Sequence, residues 1–192
     1  MTADRLNLPC MMVNNGIPIS HQDASFEDFD FEGNTNLKKL TLKCVEGDNP
    51  FWLYLHGKTG RGKTHYAVAL HRAIVAARGY EGADSSTFVE WASFTQELRS
   101  SFGDHSYDER VQVYLESSVL FLDDIIGQQV DFKLRILEEI VRERHAQKKQ
   151  LVITSNESFE WFKGLFSAHE VSRIESVMVM VPFVGRDRRF DQ

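Results

Sequence analysis

Eight residues, Gly57, Lys58, Thr59, Gly60, Arg61, Gly62, Lys63 and Thr64, carry the spacing G-x-x-x-x-G-K-T. This is a cradle for the phosphates of a nucleotide. Glycines let the backbone come close to the anion, the Lys63 ammonium reaches the β- and γ-phosphate oxygens, and the Thr64 hydroxyl is a ligand for Mg²⁺. From average residue usage such a match arises by chance in about one chain in a hundred of this length. The setting strengthens it: an apolar run at 51–55 precedes the loop, and a helical stretch carrying Ala67, Leu70 and Ile74 follows it. A helix starting there aims its N-terminus at the bound anion.

Two further segments end in groups that such a loop requires. Val119-Leu120-Phe121-Leu122 runs into Asp123 and Asp124, the pattern of a Walker B strand. Asp123 is the expected holder of the metal, directly or through water, and Asp124 the group that orients or deprotonates the attacking water. Two aspartates after a strand also suit a turn and a helix cap. Beside a phosphate loop the metal reading is the stronger one. Leu151-Val152-Ile153-Thr154-Ser155 then leads to Asn156, whose amide could bond the γ-phosphate or the lytic water, although asparagine is in general an ordinary turn or capping residue.

These groups work only if a scaffold brings them to one edge, and the rest of the chain describes such a scaffold. Strand-like runs at 51–55, 87–91, 119–122, 151–154 and 177–181 trade places with helical stretches at 62–78, from 92 to about 116, at 131–147 and near 159–166. Short apolar runs separated by helix-length segments indicate βαβ units and a buried parallel sheet covered on both faces. In the stretch 131–147, Phe132, Ile136, Leu137, Ile140 and Val141 recur at three- and four-residue intervals while Lys133, Glu138, Glu139, Arg142 and Glu143 lie on the other side. Asp131 is placed to cap its start. Residues 1 to about 35 read as an extended arm that packs through Phe26, Phe29 and Phe31.

Composition bounds the function classes. A chain of 192 residues, 42% hydrophobic and 26% charged, is ordinary for one soluble domain. No apolar run approaches the roughly 20 residues of a membrane span. A net charge of −6 argues against a surface coated in positive potential, leaving local patches at Lys148-Lys149 and at Arg186, Arg188 and Arg189. The lysines also suit the negative end of a helix. Cys10 and Cys44 form no metal-like spacing, which fits a reducing compartment.

Taken in order, Ile17-Pro18, Ala24-Ser25-Phe26-Glu27-Asp28-Phe29, Gly62-Lys63-Thr64-His65, Leu122-Asp123-Asp124-Ile125 and Thr154-Ser155-Asn156 resemble the AAA+ domain of the DnaC/DnaI helicase loaders and of the related IstB transposition helpers. The likeness runs from about residue 17 to the C-terminus. It implies an α/β P-loop NTPase of the AAA+ (ASCE) type, with a five-stranded parallel sheet between helices. The short stretch after Asn156 leaves no C-terminal lid domain expected. The implied division is an N-terminal arm and lead-in over 1–45 and an ATPase domain over 46–192.

The same resemblance makes Asn156 the sensor 1 residue, adds His65 to the nucleotide site, and places at Arg173 an arginine finger that completes a neighbouring subunit's site. Arg173 also reads as a helix-surface arginine in a salt bridge. ATP and Mg²⁺ are the implied cofactors, with Thr64 and Asp123 on the metal, and a homo-oligomeric ring or spiral is the implied assembly. Implied partners are a replicative helicase and, weakly, single-stranded DNA, in the cytoplasm of a bacterial or phage-infected cell. For the DNA, Phe102 and Tyr107 are the candidates in a region that also holds Phe94, Arg99 and His105; Phe94 and Leu98 equally fit a core spacing. The expected function is an ATP-hydrolysing helicase loader in DNA replication initiation. The alternatives are an IstB-like transposition helper and a nucleotide-dependent module that binds or inhibits a helicase.

Overall fold

The computed structural model describes residues 16–27, 29, 31, 35–46, 52–78, 86–100, 111–112, 114–127 and 131–187. Five strands form one sheet: β1 (Trp52–His56), β2 (Ser86–Glu90), β3 (Val119–Asp123), β4 (Gln150–Ser155) and β5 (Met178–Pro182). They are all parallel, in the order β2-β3-β4-β1-β5. Each strand buries residues on both faces because helices cover both. The helices are α1 (Thr35–Glu46), α2 (Lys63–Arg78), α3 (Trp91–Ser100), α4 (Asp131–Ala146), α5 (Phe159–Lys163) and α6 (Ala168–Val177).

Strand alternation sorts the core into two clusters. Trp52 and Tyr54 of β1, Leu120 and Leu122 of β3, and Leu151 and Ile153 of β4 pack with Phe94 of α3, Ile136, Leu137, Ile140 and Val141 of α4, Phe162 and Ile174. Their in-between neighbours Leu53, Leu55, Phe121 and Val152 face the opposite layer, with Leu37 and Cys44 of α1 and Tyr66, Ala67, Leu70 and Ile74 of α2. The arm belongs to this second layer through Ile17, Ala24 and Phe29. Phe29 meets Tyr66 and Phe183 with ring centroids 5.4 and 6.4 Å away, and a hydrogen bond of 2.8 Å between Thr41 and the Tyr66 hydroxyl ties α1 to α2.

Several boundaries differ from the sequence expectation. Trp91 opens α3 instead of closing β2, because its ring is needed inside against Phe94. The helix expected near 159–166 ends at Lys163, with Gly164 at its C-cap. Asp131 is itself helical and contributes an acid to the first turn, a favourable place for it beside the helix dipole. Two helices went unread. In α1, Leu37, Thr41 and Cys44 share a buried face; α6 carries a full capping box at Ser167 and Glu170, a local signal visible in the sequence.

Arg144 lies on the apolar face of α4 and is fully buried. Its guanidinium donates to Gln150 O at 2.5 Å, Ser118 O at 2.9 Å and Tyr114 O at 3.1 Å. Lys149 adds bonds to Leu115 O at 2.6 Å and Glu116 O at 2.9 Å. The Lys149 charge therefore meets the carbonyls at the end of the helical residues 114–116 and not those of α4. Among the described residues no helix is long and apolar enough to cross a membrane.

Candidate active site

Strands β3, β4 and β1 are neighbours, and each carries one of the three chemical segments at its carboxyl end, where open parallel sheets place ligands. Leu55 pairs with Thr154 and His56 with Ser155, while Leu122 pairs with Ile153. The phosphate loop, the two aspartates and Asn156 therefore emerge side by side. A cavity of about 900 Å³ opens there, with Thr59, Gly60, Gly62, Lys63, Thr64, His65, Asp123, Asp124 and Asn156 in its wall. Residues 16–21 and Phe29 of the arm also line it.

A continuous hydrogen-bond network joins these side chains. Lys63 Nζ donates to Gly57 O at 2.7 Å, Lys58 O at 3.0 Å and Asn156 Oδ1 at 2.9 Å. Thr59 donates to the same Asn156 oxygen at 3.3 Å, and Asn156 Nδ2 donates to Asp124 Oδ1 at 3.2 Å. The Thr64 hydroxyl donates to Asp123 Oδ1 at 3.1 Å. Thr154 donates to Asp123 Oδ1 and accepts from the Asp124 amide. Asp124 itself has φ +58, a left-handed backbone held by the surrounding bonds.

Burial dominates the electrostatics. It raises the Asp123 carboxyl to about 6, the charges of Asp124 and Glu90 add to the rise, and the hydroxyls of Thr154 and Thr64 oppose it. Asp124 is also raised, chiefly by burial, against the pull of Lys63. Lys63 is lowered by burial, with Asp124 and Asp123 working the other way. A buried ammonium beside two carboxyls, held in a cleft, is the signature of a site built to receive further charge.

Some expected residues take other positions. His65 borders the cavity, but its Nε2 donates to Ser25 O at 3.0 Å, fastening the arm to α2. Arg61 has its Nε buried without a hydrogen-bond partner among the described residues. Arg173 sits half-exposed on α6 and is not among the residues around the cavity. Phe94 is buried in the core, and Arg99 is exposed at the end of α3. Phe102, His105 and Tyr107, like Cys10, Arg188 and Arg189, lie outside the described residues.

The sequence reading did not include Glu90 and Ser93, which join the cavity wall. Glu90 pairs in register with Asp123, and the Ser93 hydroxyl donates to its carboxylate. The only sequence signal was an acid at a strand end. It gains meaning once β2 is known to lie beside β3.

A family described as IstB-like ATP binding protein matches residues 11–174. An ATP-binding protein in an insertion sequence of Mycobacterium tuberculosis is 33% identical over 148 residues, covering 74% of this chain and 57% of that protein. The replicative helicase loader DnaI of Bacillus subtilis is 29% identical over 127 residues, 65% of this chain and 39% of its own length. The chain thus spans little more than half of the first relative and well under half of the second. The crystal structure of the DnaC helicase loader superposes with a TM-score of 0.73 at 20% identity, over 87% of this chain and all of that one, so the fold is that of an AAA+ P-loop ATPase. With the family match running through phosphate loop, aspartates and Asn156 alike, this chain belongs to the IstB-like ATP-binding proteins.

Proposed function

We propose that this chain hydrolyses ATP and that its nucleotide state controls a DNA-handling partner, a replicative helicase that it delivers to single-stranded DNA. The observation that carries the hydrolytic part is the unbroken network from Lys63 through Asn156 to Asp124, with Thr64 and Asp123 beside it. Lys63 neutralises phosphate charge, Asn156 orients, and Asp124 is the base for water. The Thr64 hydroxyl and Asp123 carboxylate are adjacent hard oxygen donors. They fit Mg²⁺, which takes one or two protein oxygens and completes its shell with phosphate and water. When bound, the ion supplies charge neutralisation for the departing phosphoryl group.

The likeness to DnaI supports the loader reading. A second reading, a transposition helper that binds duplex DNA and a transposase, is supported by the insertion-sequence relative. Under either, the chain works as an oligomer in the cytoplasm, and Arg173 acts across the subunit boundary. Replacing Lys63 by Ala tests the shared core. ATP binding and turnover should both disappear, and unchanged hydrolysis would sink the proposal. Capture of the replicative helicase by the full chain, compared with capture of a transposase, separates the two readings.

A further inference from the structure

Helix α1 carries Lys38, Lys39 and Lys43, with a single acid, Glu46, as its last residue. Leu37, Thr41 and Cys44 take its buried face, so helical spacing gathers residues 38, 39, 42 and 43 on the outer one. All three lysines are exposed there, and Leu42 stands among them at 56% exposure. None of the three ammonium groups forms an ion pair or a hydrogen bond among the described residues. The neighbouring α2, tied to α1 through Thr41 and Tyr66, contains no aspartate or glutamate. In a chain of net charge −6 this is a concentrated positive face.

Helix stability does not account for these lysines. Lys38 and Lys39 stand near the start of α1, where the dipole disfavours cations, and its first turn holds no acid to offset them. Lys39 and Lys43 are like charges one turn apart, and they repel. Only Lys43 lies in the last turn, where a cation is favoured. On the other layer, α4 shows the mixture of an ordinary solvated face: Lys133, Arg135 and Arg142 share it with Glu138, Glu139 and Glu143. We propose that the outer face of α1 binds the phosphate backbone of DNA, with Lys38, Lys39 and Lys43 as the phosphate contacts and Leu42 against the sugars. Lysines neutralise phosphates as point charges without reading a base sequence. From Lys38 to Lys43 the helix rises about 7.5 Å, close to the axial distance across three phosphates of one strand at about 3.4 Å each. This rests on the DNA-handling part of the functional reading and gives it a surface. That surface lies on the opposite layer from α3, and no residue of α1 borders the nucleotide cavity.

The test is fluorescence anisotropy of a labelled DNA duplex, and of its single strand, titrated with the full-length chain over a range of salt. The triple variant Lys38→Gln, Lys39→Gln, Lys43→Gln should bind about tenfold or more weakly, and its slope of log affinity against log salt should be shallower by about 2 to 3. Its ATP binding should match the wild type, which also reports that it is folded. A second triple variant, Arg135→Gln, Arg142→Gln, Lys148→Gln, removes the same charge at and just beyond α4 and should stay within about threefold of wild-type DNA binding. Equal losses in the two variants overturn the proposal, as does unchanged binding by the α1 variant. A wild-type chain that binds neither DNA at low salt overturns it too. Wild-type DNA binding that survives the α1 substitutions leaves the DNA-handling reading intact and removes only this surface, and Lys63→Ala reports separately on the nucleotide reading.

Discussion

The Thr154 hydroxyl donates to Asp123 Oδ1 at 2.7 Å, and its own Oγ1 accepts from the Asp124 amide at 2.8 Å. One side chain of β4 thereby orients both acidic residues at the end of β3. The Ile125 amide adds a bond to Thr154 O at 2.9 Å. The strained φ of +58 at Asp124 persists because these bonds leave its backbone no other arrangement.

Replacing Thr154 by Val keeps the shape and removes the hydroxyl. It leaves the Asp124 amide and an Asp123 oxygen each short of a partner, which should cost about 1–3 kcal/mol in urea unfolding. ATP turnover should fall by tenfold or more, and Thr154→Ser should recover most of both. Wild-type turnover in the valine variant would show that Asp123 and Asp124 hold their positions unaided.

Asp123 ties stability to pH in the metal-free protein. Its folded value of about 6 exceeds the ordinary 3.8. Between those values the folded chain keeps a proton that the unfolded chain has released, so its contribution to stability is fully present in acid and is lost as pH rises through about 6. The size is about 3 kcal/mol at most. Asp123→Asn should flatten this slope and raise the midpoint of thermal unfolding at pH 8 in chelator, while eliminating turnover. Parallel stability profiles for the two proteins would contradict the assignment.

Arg173 is tested by mixing. Arg173→Ala and Asp123→Ala proteins should each be inactive alone, and an equimolar mixture should recover a measurable fraction of wild-type ATPase activity if the arginine serves the neighbour's site. A mixture that co-assembles yet stays inactive would return Arg173 to the helix surface.

Arg144 gathers carbonyls from three separate segments. Arg144→Met should destabilise the fold by about 2–4 kcal/mol by leaving buried acceptors unmet. Lysine should rescue little of that, because a point charge cannot reach three directions at once. Full stability of the methionine variant by denaturant titration would show that water replaces the guanidinium there.

Much of this was legible in one dimension. The phosphate loop, the aspartates after Leu122 and Asn156 after Ser155 are local patterns, and the alternation of strand and helix stretches pointed to a parallel sheet. The spacing of Ile136, Leu137, Ile140 and Val141 marked the buried face of α4, since periodicity is a property of one element. Arg144 on that same face was not legible, because its partners lie on segments that periodicity does not connect.

What the sequence determined by itself was which residues carry the chemistry. Only the tertiary structure decided what stands next to them. The order β2-β3-β4-β1-β5 puts Thr154 between the two aspartates and the phosphate loop and brings Glu90 to the same edge. The return of the chain after β5 lays Asp187 on Gly60, two residues far apart in the chain. The physical reason is the same in each case: strand pairing and chain return are chosen by the packing of whole layers, and no local run of residues encodes that choice.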